Sequence, residues 1–118
     1  MKPNLAILAL AALLAAPASA SAHAMLDHAT PAVGSTVAAP KEVVLSFTEK
    51  LEPKFSSIEV RDAKGASVHA GKATPGGAPT ELRVALKPLQ AGTYKVIWRV
   101  LSVDTHRTQG SFSFRVGP

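Results

Sequence analysis

Between residues 93 and 103 the side chains alternate without a break: Tyr94, Val96, Trp98 and Val100 point one way, while Lys95, Ile97, Arg99 and Leu101 point the other. A period of two sustained over this length dictates an extended strand, because successive side chains of a strand leave opposite faces, whereas a helix spaces its apolar residues at three and four. Both faces carry β-branched, aromatic or long apolar residues, which places the strand at the centre of its sheet. The rest of the chain must then supply hydrogen-bonding partners along both edges of this strand and an apolar layer against its Tyr94–Trp98 face.

The remaining sequence meets that demand with further short strands. Val43, Leu45 and Phe47 alternate with Val44, Ser46 and Thr48; Leu82, Val84 and Leu86 with Arg83 and Ala85; Phe112, Phe114 and Val116 with Ser113 and Arg115. Additional strands are expected near Leu26, over residues 57–61 and around Val68. Turn formers fall where the runs stop, at Thr30-Pro31 to Gly34, Ala39-Pro40, Ala63-Lys64-Gly65, Pro75-Gly76-Gly77 and Gln90-Ala91-Gly92. About seven strands at this spacing, with no sustained helical period and no internal repeat beyond the amino-terminal segment, imply an all-β sandwich or small Greek-key barrel. Residues 72–80, rich in Gly, Pro and Ala, are expected to form a mobile loop.

The amino-terminal segment reads as an export signal. Met1 and Lys2 give a positive start, residues 5–16 are an apolar run rich in Ala and Leu, and Pro17 precedes a stretch of small residues. The run is too short and too alanine-rich for a membrane span. Small-x-small patterns end at Ala20, Ala22 and Ala24. The third would put His23 where such peptidases want a small residue; a cut after Ala22 fits best, and one after Ala20 stays open. The division expected is a signal peptide over 1–22 and one domain over 23–118, in a periplasmic protein.

Several chemistries are excluded by composition. The chain has no cysteine, so it offers no thiolate nucleophile, zinc ribbon, iron–sulfur cluster or blue-copper site, and its stability rests on packing rather than disulfides. Its 13 Lys and Arg against 8 Asp and Glu give a formal charge of +5, which falls by one when Lys2 leaves with the signal. The charges are scattered singly, so nucleic acid is not an expected partner.

Removal of residues 1–22 would make His23 the amino terminus. A terminal histidine offers a metal ion both its α-amine and its ring Nδ1 in one chelate. A second concentration of ligands lies in Ser102-Val103-Asp104-Thr105-His106, where residues two apart in an extended backbone project to the same side and Asp104 and His106 can converge. His23, Asp104 and His106 together make three nitrogens and one oxygen. A sulfur-free N/O set of this size favours Cu(II), with zinc and nickel as competitors. Neutral amine and imidazoles are required, so affinity should fall as the pH drops through the range in which they protonate.

These residues resemble the CopC copper-resistance proteins of bacterial periplasms. The resemblance runs through His23-Ala24, Ala29-Thr30-Pro31-Ala32 with Gly34, Leu45-Ser46-Phe47-Thr48-Glu49, Ala91-Gly92-Thr93-Tyr94-Lys95-Val96 with Trp98-Arg99, Ser102 through His106, and Gly110-Ser111-Phe112-Ser113-Phe114. It implies a seven-stranded Greek-key β-barrel or sandwich, immunoglobulin-like or cupredoxin-like. It further implies one Cu(II) per chain held by His23, Asp104 and His106, with Glu49 as an acceptor that orients a ligand. Binding without bond-making is the implied activity, with an inner-membrane copper transport protein of the CopD type as partner. Some members add a Cu(I) site of several Met thioethers and a His in the region matching residues 60–72; here that region has His69 but no Met, so a Cu(II)-only member is expected.

Each residue also has a plainer reading. Asp104 and His106 alone would be a turn former and an exposed histidine. His28 is read as a surface partner of Asp27, His69 as an exposed strand residue, Met25 as packed or at the rim, and Trp98, Phe112 and Phe114 as core. Two other classes remain in view: a copper-dependent oxidative enzyme built on a terminal-histidine chelate, and a metal-free structural β-sandwich module.

Overall fold

The alternation at residues 93–103 forms a strand of ten residues, Gly92–Leu101, which pairs along its whole length with a second ten-residue strand, Arg107–Val116. The computed structural model describes residues 23–118, and the proposed signal segment lies outside them. In chain order the strands are β1 (Leu26–Thr30), β2 (Thr36–Val37), β3 (Glu42–Phe47), β4 (Ser57–Arg61), β5 (His69–Pro75), β6 (Glu81–Leu86), β7 (Gly92–Leu101) and β8 (Arg107–Val116), with a single 3₁₀ turn at Pro53–Phe55. They form two four-stranded sheets, β1-β3-β6-β5 and β2-β8-β7-β4. β7 is an inner strand, as expected, with Tyr94, Val96, Trp98 and Val100 buried and Lys95 and Arg99 exposed on the other face. All pairings are antiparallel except β2 with β8. The eighth strand, beyond the seven expected, is the two-residue β2, too short for any period to reveal.

Alternation decides what is buried. Val43, Leu45 and Phe47 of β3 and Leu82 and Val84 of β6 face Ile58 and Val60 of β4, Tyr94, Val96, Trp98 and Val100 of β7, and Phe112, Phe114 and Val116 of β8. Trp98 meets Phe47 edge-on with ring centroids 5.1 Å apart, and lies over Gly110, its partner across the β7–β8 ladder. A Cβ at Gly110 would come within 2.5 Å of Trp98 Cζ2, so only glycine fits beneath the indole. Tyr94 stacks on Phe114 and donates its hydroxyl hydrogen to the Gln90 carbonyl at 2.6 Å, tying the approach to β7 onto the strand. This tether resembles the tyrosine corner of Greek-key sandwiches.

Two expectations are corrected. Residues 72–80 are not one loop, because β5 runs on to Pro75 and pairs with β6; Gly71, in the left-handed region at φ 84°, accompanies a register slip between Ala70 and Thr74 that lets so Gly-rich a segment pair. The turn that follows is closed by Glu81, which accepts from Gly77 N–H at 2.8 Å. His69 is not exposed. It is half-buried on β5, and its Nδ1 accepts the Val60 N–H at 3.1 Å and lies 3.1 Å from Ser67 Oγ. Because β4 is an edge strand, an outward-facing N–H there lacks a strand partner, and the imidazole fills that role.

Candidate metal centre

One end of the sandwich gathers the residues that the sequence singled out. The segment before β1 crosses that end with its backbone fixed at three points. Thr108 Oγ1 donates to Ala24 O at 2.8 Å, Met25 N–H donates to Thr48 Oγ1 at 2.9 Å, and Thr48 N–H donates to Met25 O at 2.9 Å. Thr48 follows β3 and Thr108 lies on β8, so this segment stitches the two sheets together. Ala24 is fully buried between them, where a larger side chain would be refused. Its burial turns His23 outward.

His23 thereby meets His106, the two rings standing 4.8 Å apart, centroid to centroid, at 61°. Asp104 completes the grouping, its Oδ1 3.3 Å from His106 Nδ1. Asp104 and His106 do converge, but not through the extended backbone that the spacing implied. Residues 102–106 form a tight turn in which Ser102 N–H donates to His106 O at 2.9 Å and Thr105 N–H to Ser102 O at 2.9 Å. Thr105 takes the left-handed conformation at φ 73°, a state that costs a non-glycine residue about 1 kcal/mol or more.

Ser102 organises this turn, and sequence reasoning gave it no separate role. Among the described residues it is the one buried polar side chain outside the apolar core set. Its hydroxyl lies within hydrogen-bond reach of both Asp104 Oδ1 and His106 O. Having one hydrogen, it can donate to only one of them at a time. The turn is also anchored from outside, by Val103 N–H to Lys50 O at 3.0 Å and Glu52 N–H to Leu101 O at 2.8 Å. The available signal was a small polar residue two positions before an Asp, a pattern that favours local side-chain turns.

The electrostatics follow from these contacts. The Asp104 carboxyl is held below its usual range, first by the Ser102 hydroxyl and then by His106, against a partial loss of hydration. An ionised oxygen therefore faces the His106 imidazole, which in turn stands beside that of His23. Among the described residues, no three His, Asp or Glu side chains close on one ion position; the grouping is two adjacent pairs sharing His106. In the uncut chain the His23 nitrogen is an amide and cannot serve as a ligand, so the donor set differs by one member from that of a chain beginning at His23. Glu49 is half-buried directly after Thr48, on the strand end that clamps Met25. His28 stands exposed on β1.

Residues 26–117 match the CopC domain family. The chain belongs to the CopC family. Among curated relatives of this CopC chain, copper resistance protein C of Xanthomonas campestris pv. juglandis is 44% identical over 108 residues, covering 86% of the chain and 85% of the relative. Its namesake of Escherichia coli is 39% identical over 121 residues, covering 96% of each. The solved structure of CopC from Methylosinus trichosporium OB3b superposes with a TM-score of 0.76 at 39% identity, over 81% of this CopC chain and 95% of that one. The all-β CopC fold expected from the sequence is thus the fold found.

Proposed function

We propose that this protein is a periplasmic copper-binding protein that takes one Cu(II) per chain through the amine and imidazole of His23, the His106 imidazole and the Asp104 carboxylate. It would carry the ion for sequestration, resistance or delivery to an inner-membrane transporter of the CopD type. The observation that carries the reading is the meeting of His23 with His106, far from it in sequence and itself paired with Asp104, through a segment pinned to both sheets. Membership of the CopC family, with relatives named for copper resistance, supports copper as the ion. Three nitrogens and one oxygen suit Cu(II), which heads the divalent affinity order.

The reading requires cleavage after Ala22, since only a free amine completes the chelate. Glu49 would act from behind, accepting a hydrogen bond that orients a ligand. The deciding experiment compares Cu(II) affinity of the exported chain, its start at His23 confirmed by intact mass, with that of a chain carrying one extra residue ahead of His23. Converting the amine to an amide should cost at least about 100-fold, equivalent to about 2.7 kcal/mol. Equal affinity would remove His23 from the ligand set.

A further inference from the structure

The donors named so far are nitrogen and oxygen, yet a thioether, Met25, follows His23 by two residues. His23, Ala24 and Met25 are exposed, buried and exposed in turn, so the side chains of His23 and Met25 leave the segment on the same outward side. Residues two apart along an extended segment are separated by about 6.7 Å. An unbranched side chain with three rotatable bonds covers that gap. The backbone beneath is held by Thr48 and Thr108, while the Met25 side chain is 59% exposed. Burying a methionine is favourable, and this one forgoes most of that gain on the outward side that it shares with His23.

We propose that the same centre also holds Cu(I), with the Met25 thioether joining the His23 and His106 imidazoles. Resting on the Cu(II) reading above, this names the ligand that changes with oxidation state. Soft thioethers select Cu(I), whereas a hard carboxylate oxygen suits Cu(II). The imidazoles are common to both ions; Asp104, fixed by Ser102, serves the divalent one and Met25 the monovalent one. Met25 is the sole sulfur of residues 23–118, so a chain without a methionine-rich region still offers Cu(I) a three-ligand site. That revises the expectation of a Cu(II)-only chain. Cu(I) arrives as Cu(I), and no electron is asked of the protein.

The test titrates the exported chain with Cu(I), without oxygen, in competition with bathocuproine disulfonate, and separately with Cu(II) against a Cu(II) chelator. Met25→Leu keeps the size and apolarity of the side chain and removes the sulfur. Cu(I) affinity should fall on the order of tenfold or more in Met25→Leu, with Cu(II) affinity held within about twofold. X-ray absorption of the Cu(I)-loaded chain should show a copper–sulfur distance that the variant lacks. Equal Cu(I) affinity in the two proteins, no sulfur at the metal, or no Cu(I) uptake would each overturn the proposal, even with Cu(II) binding intact. Cu(II) binding that is indifferent to His106→Ala would instead overturn the reading on which it rests.

Discussion

His69 and His106 both engage Nδ1, and both lie where a sheet ends, but the two rings answer different needs. His69 Nδ1 accepts an N–H from the open edge of β4 at 3.1 Å, completing a backbone that would otherwise lack a partner. His106 Nδ1 faces a side-chain carboxylate, and the backbone around it is already satisfied within its own turn. Its side chain is 51% exposed, beside a second imidazole. A ring whose nitrogen closes the fold is committed; one whose partners are other ligand-type side chains is available to an ion. Residue type alone does not separate them, whereas the bonding of the surrounding backbone does.

The sharpest way to break this contrast is to delete each ring. His106→Ala should lower Cu(II) affinity by at least about 100-fold, more than an outer partner commands, while leaving the thermal midpoint near that of the parent. Chelator competition and a melt on the same sample check both halves. Ser102→Ala comes next, because freeing the Asp104 carboxylate and loosening the turn should cost about tenfold in Cu(II) affinity. If Ser102→Ala matched the parent, the turn would hold its shape without that hydroxyl. His69→Ala should do the opposite of His106→Ala. Stranding the Val60 N–H costs about 1 kcal/mol, or some 4–8 °C in the midpoint for a domain of this size, with Cu(II) affinity unchanged. A loss of copper with His69→Ala would erase the distinction between the two histidines.

Most of the sandwich was legible because its strands are amphipathic, and a period of two in Val43–Phe47, Leu82–Leu86, Tyr94–Val100 and Phe112–Val116 survives folding unchanged. β5 was legible only at its start, as a strand around Val68, since its Gly, Ala, Thr and Pro residues show no apolar period; it runs on to Pro75 because β6 offers an edge, with Gly71 absorbing the slip. The pairing of Asp104 with His106 was read correctly from their spacing but through the wrong backbone. A left-handed Thr105 has no signature in composition, being imposed by the bonds that Ser102 and Lys50 make around it. His69 was misread for a related reason: its role depends on an N–H belonging to another strand, which periodicity cannot register.

The smallest effect expected concerns acid, and it separates the same two regions. On the β4 side Glu59 accepts from Arg61 at 2.7 Å and from Arg99 at 2.8 Å, and these guanidinium groups hold its carboxyl below the ordinary value. At the metal end Asp104 is lowered in the same direction, mainly by the Ser102 hydroxyl. A carboxyl whose folded value is depressed contributes stability that is complete above its unfolded value and is lost as the pH falls through the folded one. The copper-free protein should therefore lose stability as the pH drops below about 4. Both carboxylates are partly solvated, so water screens the gain and the slope should be shallow. Arg99→Gln removes one of the two guanidinium groups that hold Glu59 and should flatten this acid slope further, without touching Cu(II) affinity at neutral pH. Melts across the acid range, run on the parent and Arg99→Gln, decide it. An identical slope in the two proteins would assign the acid loss to the Asp104 turn rather than to the β4 edge, making the metal end the more acid-sensitive half of the fold.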